Sequence, residues 1–100
     1  MQLAEFQRLI EDQYGAKDEA RGIPGTFMWF VEEVGELARA IKNDDRENLR
    51  EEFADVLAWL ATLASLVEID LEDAALRYAN GCPHCEATPC VCAETTRLGS

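Results

Sequence analysis

Three polar residues, Asn43-Asp44-Asp45, interrupt a chain whose flanks both carry apolar residues at helical spacing, and this short break restricts the fold more than any other feature. Before it, Phe27, Phe30, Val31, Val34, Leu37, Ala38 and Ile41 form one stripe at a period of 3.6. After it, Leu49, Phe53, Val56, Leu57, Leu60, Leu63, Ala64 and Val67 form another. A connection this short obliges the two helices to fold back antiparallel. Residues equally far from Asp44 in sequence then lie level with each other. Asp44, followed three residues later by Glu47, has the form of an N-terminal capping pair for the second of these helices.

Leu3, Phe6, Leu9, Ile10 and Tyr14 predict an earlier helix over 2–14, ended by Gly15. The stretch 17–25, with Arg21-Gly22-Ile23-Pro24-Gly25, predicts a loop, after which Thr26 can cap a helix running to Lys42. Asp70 stands where it would cap a last helix through Ala79. No stretch alternates with period two, so the expected fold is all-α, built of four helices. Residues 1–80 form the helical domain, 81–93 a cysteine-rich tail, and 94–100 a disordered end. One hundred residues bury only a modest core, and four short helices cannot cover both flanks of the central pair. A homo-oligomer, most simply a two-fold homodimer, is therefore expected.

Lys and Arg number 9 against 20 Asp and Glu, a net charge of −11. Such a surface repels phosphate backbones, which argues against a nucleic-acid partner and makes a metal necessary for any phosphorylated ligand. With 29% charged residues and no long apolar run, the chain is not expected in a membrane. Its start, Met1-Gln2-Leu3-Ala4-Glu5, lacks the basic and apolar segments of a secretory signal, so a cytoplasmic location is expected.

The acids fall in register across the break. Glu33 is eleven residues before Asp44 and Asp55 eleven after it; Glu36 and Glu52 are eight before and eight after. Glu33/Glu36 and Glu52/Asp55 each lie one turn apart on a helix face, so four carboxylates should converge. At ~5 Å and an effective dielectric of about 20, each like-charged pair costs roughly 3 kcal/mol, which calls for a divalent cation. Oxygen ligands alone suit Mg²⁺ or Mn²⁺ and leave positions open for water and substrate phosphate. The bland alternative is a pair of solvated acidic faces balanced by Arg39, Lys42, Arg46 and Arg50. Trp29 and Trp59 obey the same mirror relation at one end of the cluster, as a base-stacking wall or as packing of the bundle.

Glu32-Glu33-Val34-Gly35-Glu36, then fifteen residues, then Glu52-Phe53-Ala54-Asp55, resembles the EExxE…ExxD signature of the MazG-like all-α nucleotide pyrophosphohydrolases. The likeness runs from about Arg21 to Asn80. It implies Mg²⁺-dependent hydrolysis of a nucleoside triphosphate to monophosphate and pyrophosphate, in dimers or tetramers that complete a four-helix bundle. Carried over by position, Glu33, Glu36, Glu52 and Asp55 are the metal ligands, and Glu32 and Glu51 are candidates for orienting or deprotonating the attacking water. Arg21, Arg77 and Asn80 could reach phosphate or base in that arrangement. The chain departs from the family where Gly81-Cys82-Pro83-His84-Cys85 replaces the Lys-rich or Asn/Arg-rich stretch expected after the last helix.

Cys82, Cys85, Cys90 and Cys92 lie within eleven residues, with Pro83 and Pro89 between them. In a reducing compartment such a cluster predicts a structural, tetrahedral Zn²⁺ site that staples a tail too short to own a core. His84 as one ligand, a site shared between chains, an iron–sulfur cluster, two disulfides or free thiols are the other readings. The functional alternative to the enzyme is a non-catalytic acidic helical interaction module stapled by zinc.

Overall fold

The computed structural model describes residues 1–93, which contain helices and their connections and no strand; the expected disordered end, 94–100, lies outside the described residues. Helix α1 spans Leu3–Asn43, α2 Arg46–Leu66 and α3 Leu71–Ala75, followed by a single 3₁₀ turn at Leu76–Tyr78. The all-α expectation holds, and the antiparallel packing of α1 on α2 dominates the tertiary structure.

Helix α1 is two arms broken at one residue. Gly22 has φ 80° and ψ 173°, a conformation essentially restricted to glycine, and helix flanks it on both sides. The predicted stop at Gly15 and the loop over 17–25 do not occur. A glycine inside a helix costs only about 1 kcal/mol relative to alanine, which packing readily overrides at Gly15. Pro24 sits in the first turn of the second arm, where its missing N–H would have had no partner in any case. Thr26 does not act as a cap. It is fully buried within the arm, and its hydroxyl accepts a hydrogen bond from Arg21.

The 43–45 break is divided differently from the predicted capping pair. Asp44 ends α1 in the left-handed region, φ 49° and ψ 39°, which Asp tolerates better than most residues. Asp45 then caps α2, its carboxylate accepting from the Asn48 amide at 3.3 Å. Asp70 caps α3 as expected, accepting from the amides of Glu72 and Asp73, but α-helix gives way to the 3₁₀ turn after Ala75.

The core of one chain is thin. Its buried hydrophobic residues are Ile10, Ala40, Leu49, Ala61 and Ala64, joined by Gln7, Asp18, Thr26 and Thr62. Gln7 uses its whole amide: the NH₂ donates to Ser65 Oγ at 3.1 Å and to the Ile69 carbonyl at 2.8 Å, and Oε1 accepts from the Leu71 amide at 2.9 Å. This clasp fixes the first arm against the α2–α3 connection. Phe27, Val31, Val34 and Ile41 on α1 and Phe53, Leu57 and Leu60 on α2 stay exposed, so large apolar rows run along both helices of the hairpin. No helix of the described residues is long and apolar enough to cross a membrane.

Candidate metal centre

Glu33 on the second arm of α1 meets Glu52 and Asp55 on α2, with one oxygen from each carboxylate within 4.8 Å of the others. The register follows from the two-residue connection. Glu33 and Glu52 are half-buried while Asp55 is exposed, so the group sits at the edge of the helix interface and opens to solvent. Burial, followed by the charges of Asp55, Glu52 and Glu36 and a hydrogen bond with Glu52, raises the Glu33 carboxyl above its ordinary range. One oxygen of Glu52 is buried without a hydrogen-bond partner. A buried acceptor left unpaired is costly, and hard cations are ligated by such oxygens. The donor set therefore fits Mg²⁺ or Mn²⁺.

Glu36, the fourth expected ligand, lies outside this tight group. One of its oxygens is 3.8 Å from Arg39, an exposed contact of little energetic weight, yet its charge still acts on Glu33. Glu32 and Glu51, each next in sequence to an acid of the group, are exposed. Consecutive helical residues point about 100° apart, which turns both away from the cluster.

Beside the acids the two indoles lie face to face. Trp29 and Trp59 have ring centroids 6.2 Å apart and planes inclined by 15°, an offset stack. The Arg21 guanidinium sits 4.8 Å from the centroid of the Trp59 ring. It is held there by Asp18 at 3.0 Å and Thr26 at 3.2 Å, and the second Asp18 oxygen accepts from the buried Thr62 hydroxyl at 3.0 Å. A cleft of about 380 Å³ runs along this arrangement, lined among others by Tyr14, Lys17, Arg21, Asp55 and Trp59. It joins positive side chains to the edge of the acid cluster. Arg77 and Asn80 are exposed and line no part of it.

Local signals at Gly15 and over 17–25 place Lys17 and Asp18 in a loop and leave Tyr14 only as an apolar residue of the first helix, so the sequence alone does not mark them as site residues. With the helix continued, Ile10, Tyr14, Asp18 and Arg21 fall on one face at spacings of three and four, and the Asp18/Arg21 pair becomes visible as an i,i+3 ion pair.

The four cysteines form a second group that could hold a metal. Their sulfurs lie within 4.8 Å of one another, and none forms a disulfide. Backbone amides of Val91 and Ala87 lower the Cys85 thiol to about 6, whereas the neighbouring thiols of Cys90 and Cys85 push Cys92 up to about 12. His84 is exposed and engages the group only through its backbone N–H, which donates to Cys82 Sγ.

An antiparallel helical hairpin whose two helices bring facing acids together defines an all-α protein with a candidate acidic metal site, and comparison with known proteins gives the family. Residues 24–84 match the MazG nucleotide pyrophosphohydrolase domain. A phosphoribosyl-ATP pyrophosphatase of Haloarcula marismortui is 37% identical over 67 residues, covering 65% of this chain and 68% of the relative. The chain belongs to the MazG nucleotide pyrophosphohydrolase family, whose name denotes hydrolysis of an acid-anhydride bond. The matched segment contains both acid-bearing stretches and Cys82, and ends before Cys85, Cys90 and Cys92.

Proposed function

We propose that this chain hydrolyses a nucleoside triphosphate, or its deoxy form, between the α and β phosphates, releasing a monophosphate and pyrophosphate in the manner of a nucleotide-pool house-cleaning enzyme. The observation that carries the reading is the convergence of Glu33, Glu52 and Asp55, with one oxygen of Glu52 buried and unpaired. These three residues would hold Mg²⁺ or Mn²⁺, with Glu36 as the fourth ligand. The bound ion would supply charge neutralisation at the phosphate oxygens and a more acidic water.

The remaining work falls to the chain. Arg21 and Lys17 set positive charge along the cleft where phosphate oxygens would lie, in a molecule otherwise strongly negative. Trp29, exposed on the stack, would offer its indole face to the base, with Trp59 stacked against it as the other half of the wall. Glu32 and Glu51, turned away from the cluster within one chain, would orient the attacking water or accept its proton only where substrate binding or assembly brings that water to their side of the helices. Arg77 and Asn80 take part only if assembly brings them to the cleft of a neighbouring chain.

The exposed apolar rows on α1 and α2 support a homo-oligomer, most simply a two-fold dimer that buries them and completes a four-helix bundle.

The test is a panel of ribo- and deoxyribonucleoside triphosphates, with phosphoribosyl-ATP from the relative's name included, assayed for pyrophosphate with and without Mg²⁺. Pyrophosphate and monophosphate in equal amounts, only with the metal, are expected. Orthophosphate as the product would make the reaction class wrong, and nucleotide binding indifferent to Mg²⁺ would favour the non-catalytic interaction module.

A further inference from the structure

From Asp70 to Ala93 no residue is buried, so this end of the chain has no hydrophobic core of its own. It nonetheless has a defined backbone. The Cys82 amide donates to the Ala87 carbonyl at 3.1 Å and the Glu86 amide to the Cys82 carbonyl at 2.7 Å, closing a turn around Pro83-His84-Cys85. Gly81 enters that turn at φ 98°, and a Cβ there would lie 2.8 Å from the Thr88 hydroxyl and 3.1 Å from the Ala87 carbonyl oxygen. A glycine is required at this position.

The turn and the Cys90-Val91-Cys92 segment bring two pairs of sulfurs together. Cys82 and Cys92 are 3.8 Å apart, and Cys85 and Cys90 are 3.9 Å apart. A disulfide needs about 2.05 Å between sulfurs, whereas four thiolates at about 2.3 Å from one centre stand about 3.8 Å apart along the edges of a tetrahedron. Backbone amides supply the second feature of a thiolate site. His84 N donates to Cys82 Sγ at 3.4 Å, Val91 N to Cys85 Sγ at 3.5 Å and Cys92 N to Cys90 Sγ at 3.3 Å. Three N–H groups aimed at sulfur stabilise the negative charge that four thiolates around a divalent ion retain.

We propose that Cys82, Cys85, Cys90 and Cys92 together bind one Zn²⁺ ion in a closed, structural tetrahedral site that folds the C-terminal segment. Four thiols bind one Zn²⁺ with the release of up to four protons, leaving a complex of net charge −2. Zn²⁺ outranks Fe²⁺ for a given ligand set, and tetrahedral four-sulfur geometry suits it. With all four positions taken by protein, no site remains for a water or substrate, so the ion is not catalytic. Because the segment lacks a core, metal binding supplies its folding free energy. The inference is independent of the hydrolytic reading, since three of the four ligands lie beyond the family match.

The experiment is elemental analysis of the full-length protein purified under reducing conditions without affinity tags, followed by exchange of the metal for Co²⁺. We expect one zinc per chain, and after exchange the intense visible absorption of tetrahedral thiolate-bound cobalt. Cys90→Ser and Cys85→Ser should each lower the zinc content severalfold while the far-ultraviolet signal of α1 and α2 persists; His84→Ala should leave it unchanged. Zinc-free protein with four freely titrating thiols would overturn the proposal. So would iron with acid-labile sulfide, disulfides in the reduced preparation, zinc retained in full by both cysteine variants, or zinc lost in His84→Ala.

Discussion

Trp29 and Trp59 stack across the hairpin 6.2 Å apart, each one helical turn from an acid of the metal group, Glu33 and Asp55. The pair locks the register that the two-residue connection sets, and it leaves Trp29 48% exposed beside the acids. Stacking of a base on an aromatic ring is worth about 1–3 kcal/mol, so Trp29→Ala is expected to raise KM roughly tenfold with kcat little changed. Trp29→Phe should recover most of the loss. Steady-state kinetics beside thermal melting decides the matter, because a lowered Tm with unaltered KM would make the indole a packing residue alone.

Asp55→Asn removes one ligand charge and one of the charges that act on Glu33. Loss of a partner of a metal ligand typically costs 10–100-fold, and loss of a ligand itself should cost on the order of 100-fold or more in turnover. Metal-free stability should hold or rise, since like-charge repulsion falls. Activity and metal-free Tm are thus expected to move in opposite directions. A variant with full activity would reduce the carboxylates to a solvated face.

The acid–alkali behaviour of the metal-free protein follows from Glu33. Its carboxyl is raised in the fold, first by burial and then by its acidic neighbours, so between its ordinary range and the raised value the folded state binds more protons than the unfolded. Stability therefore falls as pH rises through that window. Thermal melts across a pH series should show the decline in the metal-free wild type and a shallower one in Glu33→Gln. Saturating Mg²⁺ should flatten the wild-type curve, because the cation offsets the same charge.

The mirrored acids and indoles were legible because a connection of two residues leaves one register open, and period and spacing then place Glu33, Glu52, Asp55, Trp29 and Trp59. What local propensity obscured was the first arm. Gly15 punctuates the sequence but bends nothing, while Gly22, seven residues on, carries the whole break. The difference lies in tertiary contacts that no local signal encodes: Ile10 and Asp18 are buried on either side of Gly15 and hold the helix through it. The Asp18–Arg21–Thr26–Thr62 network was hidden for the same reason, because Asp18 and Arg21 fell in a supposed loop and Thr26 in a supposed cap, leaving Thr62 on α2 without a visible partner.

The apolar rows give the remaining prediction. Phe53 is 58% exposed on α2, with Leu57 and Leu60 one and two turns further along the same face, and among the described residues the buried hydrophobic core contains no aromatic side chain. A single chain thus leaves much of its apolar surface in water, at about 25 cal/mol for each Å² that a second copy would cover. Light scattering at micromolar concentration is expected to give a mass of two or four chains. Phe53→Glu places a charge in the row and should shift the protein toward the monomer while the helical signal persists, since the side chain is not part of the chain's own core. A monodisperse wild-type monomer would refute the shared bundle, and an unshifted Phe53→Glu oligomer would move the interface to another face.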